Sequence, residues 1–371
     1  MLRKAISTLA LGLALTLPLV ACSPSAPAPA PTTAPAKPAA TAAPAAPTTA
    51  PAKPAATTAP AAPTAAPAAE VNYPTKPISV IIPFPAGGST DVGGRVVAAL
   101  LEKELGQPVQ VVNKGGAGGQ LGWTELAHAK PDGYTIGMIN LPHLPAVVVD
   151  PERKATFKQD DIVPLASQAL DPTQIAVRGD SPYKTVKDLI DDAKKRPKEI
   201  PVGIVGILQD DEIGYLQTAA ATGIDLRPVR FDGAAPATTA LLGGHIGVTF
   251  CTVGDNYVQV KAGKIKTLAV MDTQRTTKFF PDVPTMKEAG YGEILSASTR
   301  GFAVPKGVPE PIMKKLEAAL IKVMKSPEHT TKIEEAGQPV LIMGREEFTK
   351  YYNNSYDVAK NWVGKAIKGI D

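Results

Sequence analysis

Nine residues, Pro83-Phe84-Pro85-Ala86-Gly87-Gly88-Ser89-Thr90-Asp91, close an apolar run (Ile78, Val80, Ile81, Ile82) and open a helix-like one (Val92, Arg95, Val96, Leu100, Leu101). Backbone N–H groups at a helix start have no intrahelical acceptor, and the helix dipole favours negative charge there. Gly87 and Gly88 would let a ligand approach the main chain, while Ser89 and Thr90 add hydroxyl donors. A second glycine cluster, Gly115-Gly116-Ala117-Gly118-Gly119, stands in the same relation to the run Val109 to Val112. Two such helix starts on neighbouring strands would make one site for a small carboxylate or phosphate. Ser, Thr and Asp are also ordinary N-caps and glycines ordinary turn residues, so each loop alone reads equally well as a turn. The two together point to binding.

Other chemistries fit the residues less well. Gly116-Ala117-Gly118 with Gly122 approaches a dinucleotide fingerprint, but Leu121 stands where the third glycine belongs. Neither glycine loop carries the Lys-Ser or Lys-Thr of a phosphate-binding P-loop. His128, His143, His245 and His329 are scattered and give no metal-ligand spacing, so neither a metal nor a cofactor is expected. Ser89 lies in Gly-Gly-Ser-Thr-Asp rather than G-x-S-x-G and has no local base, which leaves a secreted hydrolase as a minor alternative to a binding protein. The net charge of +4 is small for 371 residues and its cations are interleaved with acids, so no nucleic-acid partner is expected.

The elements that must position these loops alternate. Strand-like runs at Ile78 to Ile82, Val109 to Val112, Tyr134 to Ile139, Gln174 to Val177, Val202 to Val205 and Ile246 to Phe250 are separated by helix-like segments. Helices are predicted from Asp91, from about Gln120, after Thr185 and over Ile213 to Ala221. Such alternation predicts an α/β chain with parallel sheets covered by helices, in which ligands gather at the carboxyl ends of strands. Thr185 with Asp188, and Thr285 with Glu288, have capping-box spacing and predict helix starts. The last third is helical, with Pro309 and Pro311 opening one amphipathic segment and Arg345 to Lys368 forming another.

The N-terminal part is of a different kind. Arg3 and Lys4, an apolar run from Ala5 to Val20 and the tetrapeptide Leu19-Val20-Ala21-Cys22 read as a signal peptide over residues 1–21. The tetrapeptide resembles a lipobox, which implies lipidation of Cys22 and a membrane anchor outside the cytoplasm. Residues 22–71 are mostly Ala, Pro and Thr, with a near-repeat beginning at Pro31 and Pro47, and predict an extended tether. Cys251, in the apolar run Val248 to Val253, is expected to be a buried thiol with no disulfide partner. The remaining residues, roughly 300, reach the size at which one core gives way to two.

Tyr73-Pro74-Thr75-Lys76-Pro77-Ile78, the Pro83–Asp91 loop with Arg95, the stretch from Gly106 to Gly122, and Ala129-Lys130-Pro131-Asp132-Gly133-Tyr134-Thr135 follow one another in a familiar order. With Leu241-Leu242-Gly243-Gly244-His245, Pro281-Asp282-Val283-Pro284-Thr285 and Glu288-Ala289-Gly290-Tyr291, the set resembles the substrate-binding proteins of tripartite tricarboxylate transporters, the TctC-like or Bug receptors. The resemblance implies a type II periplasmic-binding-protein fold, with two α/β lobes closing over a cleft on a small organic carboxylate. It implies lobe 1 from residues 72–173 and 298–371, lobe 2 from 174–297, and crossings near Leu170 to Arg178 and Ile294 to Phe302. It further implies delivery to a two-component membrane permease, with sensing by the same fold as the alternative, no enzymatic activity, and a monomer. The implied ligand-binding residues are Phe84, Ala86, Gly87, Gly88, Ser89, Thr90, Asp91, Gly116, Ala117, Gly118, Gly119 and Asn140 from lobe 1. From lobe 2 they are Gly206, Gln209, Asp210, Gly233, Ala234 and Ala235.

The chain departs from the family in the middle lobe. Where a small polar loop followed by His is usual, it carries Val205-Gly206-Ile207-Leu208-Gln209-Asp210-Asp211-Glu212, and Gly247 and Cys251 stand where acids are frequent. Asp211 and Glu212 are expected in the first turn of a helix, exposed and favourable to its dipole. Acids facing the cleft would instead disfavour a second ligand carboxylate and suit a monocarboxylate with an apolar or amino end.

Overall fold

The computed structural model describes residues 71–368 except residue 207, with side chains to residue 363; the signal segment, Cys22 and the tether as far as residue 70 lie outside the described residues. The first half of the described chain runs β1 (Ile78–Ile82), α1 (Ser89–Leu105), β2 (Val109–Asn113), α2 (Gln120–Ala127), β3 (Thr135–Leu141), α3 (His143–Val149) and β4 (Ile162–Arg178). Next come α4 (Val186–Lys195), β5 (Pro201–Val205), α5 (Asp210–Thr222), β6 (Arg227–Phe231), α6 (Ala234–Leu242), β7 (Val248–Thr252), α7 (Val253–Lys261) and β8 (Ile265–Val270). The chain ends with β9 (Ala297–Pro305), α8 (Glu310–Met324), α9 (Pro327–Glu335) and α10 (Arg345–Lys368). Among the described residues no helix is long and apolar enough to cross a membrane.

The strands follow the order β2-β1-β3-β9-β4-β7-β5-β6, with β8 also on β4. Strand β1 is parallel to both β2 and β3, and β5 is parallel to both β6 and β7, so two parallel βα arrays are present. They meet through antiparallel β9 and β4: β4 pairs with β9 from Ile162 to Pro172 and with β7 from Thr173. Helices cover both arrays, the two-lobed α/β architecture of a type II periplasmic binding protein. Each array has its own apolar core. Ile78, Val80, Ile82, Val97, Leu101 and Met138 pack in the first, and Ile175, Leu189, Val202, Ile204 and Phe250 in the second. Helix α4 shows how such a core is specified: Val186, Leu189, Ile190 and Ala193 are buried on one stripe while its lysines and aspartates face out.

Several elements differ from the sequence expectation, β6 and β8 among them, and three have a visible cause. The strand predicted from Gln174 to Val177 is the end of a 17-residue strand; Pro164 and Pro172 disguise the rest, and the pairing with β9 accommodates it through register shifts. Thr285 and Glu288 do exchange capping hydrogen bonds, of 2.8 and 3.1 Å, yet no helix follows, because Gly290 and Gly292 adopt positive φ and end the turn. Helix α9 is an addition, started by Ser326, whose hydroxyl accepts from the His329 N–H.

Candidate functional site

The loop between β1 and α1 is held by Asp91. Its carboxylate accepts from the Gly87 N–H (3.0 Å), Arg95 Nε (3.0 Å) and Asn113 Nδ2 (2.8 Å), and Asn113 also donates to the Phe84 carbonyl (3.0 Å). Burial would raise the Asp91 pKa, but these bonds prevail and hold it below the usual range. Asp91 is therefore a charged brace for the loop. Phe84 stacks on His143 at 5.5 Å, and Trp123 meets both rings edge-on. His143 is fully buried without a hydrogen bond to either ring nitrogen, and burial, helped by Arg153, pushes its pKa well down and keeps it neutral.

Opposite this loop lie the starts of α5, α6 and α7. Together with Gly88, Ser89 and Asn140 they enclose a cavity of about 40 Å³, lined also by Gln209, Asp210, Asp211, Ala234, Thr252 and Asp255. That is room for about three waters, so a larger ligand requires the two arrays to draw apart. Their approach is close: the Gly88 α-carbon faces Ala234, and a β-carbon on Gly118 would lie 3.0 Å from the Gly206 α-carbon.

One acid occupies the place where an anion was expected. Asp255 closes a capping box with Thr252 (Thr252 N–H 3.2 Å, Oγ 2.8 Å) and reaches across the cleft with its other oxygen. That oxygen accepts from the Ser89 N–H at 3.1 Å and from the Ser89 hydroxyl. Hence the free donors at the start of α1 bind a carboxylate of the chain itself.

Asp210 and Asp211 stand in the first turn of α5, as anticipated for Asp211 and Glu212, but all three are buried rather than exposed. The reason is tertiary: this helix start abuts the opposite loop and the β4–β9 ribbon. Glu212 is neutralised by Arg230 at 2.6 Å. Asp211 accepts from the Val205 N–H at 3.2 Å, and Asp210 from Thr173 Oγ at 3.5 Å. Burial raises the pKa of both, and repulsion from Asp210 raises Asp211 further.

Between the two arrays, Arg300 of β9 bonds to Asp171 of β4 at 2.8 Å and to Thr252 Oγ at 2.7 Å, while Asp171 accepts from the Gly254 N–H at 3.1 Å. Both charged side chains are sealed, at 2% and 0% exposure. Burial lifts the Asp171 pKa to about 6 against the pull of Arg300.

Of the expected ligand residues, Phe84, Gly88, Ser89, Thr90, Asp91, Asn140, Gln209, Asp210 and Ala234 line the cavity. Ala86 and Gly87 are exposed beside it, and Gly233 and Ala235 pack against Pro85 and Gly87. Ala117, Gly118 and Gly206 instead line a neighbouring cavity of about 320 Å³ with Arg153, Arg230 and Asp232, where the Gly118 N–H points at Asp232 at 3.4 Å; Gly116 and Gly119 flank it. The two glycine loops thus do not converge on one cradle. Asp211, Thr252, Asp255, Ser298 and Arg300 line the first cavity without having been expected there. The Thr252-x-x-Asp255 capping spacing was the available signal for one of them, whereas nothing local marks Arg300.

The sequence profile of the tripartite tricarboxylate transporter family receptors matches residues 94–367. A UPF0065 protein of Cupriavidus necator is 32% identical over 287 residues, covering 75% of this chain and 84% of its own length. Among solved structures, the periplasmic binding protein BugD superposes with a TM-score of 0.73 at 29% identity, covering 79% of this chain and 98% of its own. MatC from Rhodopseudomonas palustris, solved with bound malate, does so with 0.72 at 27%, covering 78% and 100%. Loops from two lobes meeting over a small polar cavity are what a receptor needs, and with these likenesses the chain belongs to the TctC/Bug family of extracytoplasmic solute-binding receptors, which are not enzymes.

Proposed function

We propose that this receptor captures a small organic acid in the cavity between its lobes and hands it to a two-component membrane permease of the tripartite tricarboxylate type. The observation that carries the reading is the convergence of four helix starts, those of α1, α5, α6 and α7, on one cavity from opposite sides. Such starts turn favourable dipoles toward the cavity, although the Ser89 N–H of α1 is held by Asp255 and the Gly254 N–H of α7 by Asp171. The malate held by MatC supports an organic acid as the ligand class. In this reading residues 72–173 and 298–371 form lobe 1 and 174–297 form lobe 2, with β4 and the approach to β9 as the hinge. Closure follows because each lobe grips one end of the ligand. The cavity-lining residues named above make the contacts, and the glycine loop Gly116–Gly119 with Gly206 forms the rim. A lipid on Cys22 and the tether to residue 71 hold the receptor, as a monomer, at the membrane.

The test is thermal unfolding of the purified protein, stripped of co-purified solute, against mono-, di- and tricarboxylates and amino acids. A ligand at a hundred times its dissociation constant adds about 2.7 kcal/mol to the folded state, a midpoint shift of degrees. No shift with any carboxylate overturns the reading.

A further inference from the structure

The charge balance of the cavity is unusual for a site that binds acids. Four aspartates, Asp91, Asp210, Asp211 and Asp255, line it against a single arginine, Arg300. Asp91 is matched by Arg95 at 3.0 Å, and Arg300 is matched by Asp171 at 2.8 Å. Asp255 is solvated by neutral donors from Ser89 and Thr252, without a cation. Asp210 and Asp211, each 4% exposed, have no cation within ion-pair distance among the described residues. Asp210, Asp211 and Asp255 thus turn carboxyl oxygens toward the cavity with no cation within ion-pair distance among the described residues.

Two further groups point to a ligand independently of these acids. The side chain of Asn140 is buried, its Nδ2 directed at the hydroxyls of Thr90 (3.0 Å) and Ser298 (3.5 Å), and its Oδ1 has no hydrogen-bond partner. Arg300 Nε is likewise buried and unpaired. A buried polar atom left without a partner is costly, and both residues line the cavity. The acceptor and the donor stand side by side, Asn140 of β3 and Arg300 of β9 being cross-strand partners, and are matched by a solute carrying both kinds of group.

Resting on the reading of this cavity as the carboxylate site, we propose that the solute also carries a protonated amine, held by Asp210, Asp211 and the Asn140 oxygen, with its carboxylate toward Arg300. Asp255, already seated on the start of α1, fills the position a second ligand carboxylate would take. The receptor therefore selects small amino-carboxylates and rejects di- and tricarboxylates lacking the amine.

The experiment compares dissociation constants, by calorimetry on the purified full chain, for solutes differing only in the amine: succinate against aspartate, glutarate against glutamate, butyrate against 4-aminobutyrate. In at least one pair the amino form should bind about tenfold tighter or more, the contribution of one charge-assisted hydrogen bond. The double variant Asp210→Asn/Asp211→Asn should bring that ratio to within about twofold; because the readout is a ratio between two ligands, it is independent of any loss of stability. If the amine-free acids bind equally well or better, the amine assignment is overturned while the carboxylate receptor stands. Binding of a simple alkylammonium ion with no requirement for a carboxylate would overturn the carboxylate reading and keep the acidic pair as a cation site. If no member of any pair binds, both are overturned.

Discussion

Replacing Arg300 by Met removes the cation bonded to Asp171, and the size of the effect should depend on pH in a way the structure sets. With Arg300 present, Asp171 titrates at about 6 in the folded protein, against about 3.9 for an unfolded aspartate. A carboxyl whose folded pKa is raised lets the folded state bind more protons between those values, so its contribution to stability falls as pH rises through that window and is level above it. Without the guanidinium the folded pKa climbs further, and the fall continues above pH 6 at about 1.4 kcal/mol per pH unit until the carboxyl ionises. Near pH 5 both proteins hold Asp171 mainly protonated. The loss is then that of the bond from Arg300 to Thr252 and the associated packing, about 1–3 kcal/mol. Near pH 8 as much as about 2.7 kcal/mol is added, which brings the total to the range of about 3–5 kcal/mol found when a buried pair is broken. Urea denaturation of both proteins at the two pH values measures the difference directly, and the buried histidines, common to both, cancel. A difference that is the same at both pH values, or larger in acid, would refute the account of Arg300 as the counter-charge of Asp171.

Three further outcomes are expected. Gly88→Ala should bind ligand normally, since its β-carbon would sit 3.6 Å from that of Ala234, whereas Gly88→Trp should abolish ligand-induced thermal stabilisation by holding the lobes apart; retained stabilisation in the tryptophan variant would rule out closure at this point. Thr185→Ala removes the hydroxyl that accepts from the Asp188 N–H at 3.2 Å and should cost about 1 kcal/mol in a denaturation experiment, with ligand affinity unchanged. Cys251 is buried, its thiol pKa pushed well up by burial and then by Asp255, so a thiol reagent should label it only on unfolding; rapid labelling of the native protein would contradict its placement.

How much of this was legible beforehand depends on whether the cause is local. The continuous apolar runs gave β1 and β5 almost to the residue, because burial on both faces of a parallel strand demands them, and the Thr185–Asp188 capping spacing gave the start of α4. The loop from Phe84 to Asp91 was recognisable as a helix start, and the stretch from Val205 to Glu212 as unusual, though Asp211 and Glu212 were expected to be exposed. Local reading stopped at the long strand β4, where a register shift with β9 adjoins Pro164, and Pro172 stands where pairing passes from β9 to β7.

The sequence by itself determined the class of fold, the elements of each lobe and the family, since these follow from periodicity, caps and an ordered set of motifs. Only the tertiary structure decided the electrostatics of the site. Residues 83 positions apart, Asp171 and Gly254, and 166 apart, Ser89 and Asp255, become hydrogen-bonded neighbours when the lobes meet. The same encounter buries Asp210 and Asp211, which at the start of an isolated helix would stay in water. Burial, not residue type, turns those carboxylates from solvated caps into part of the cavity wall.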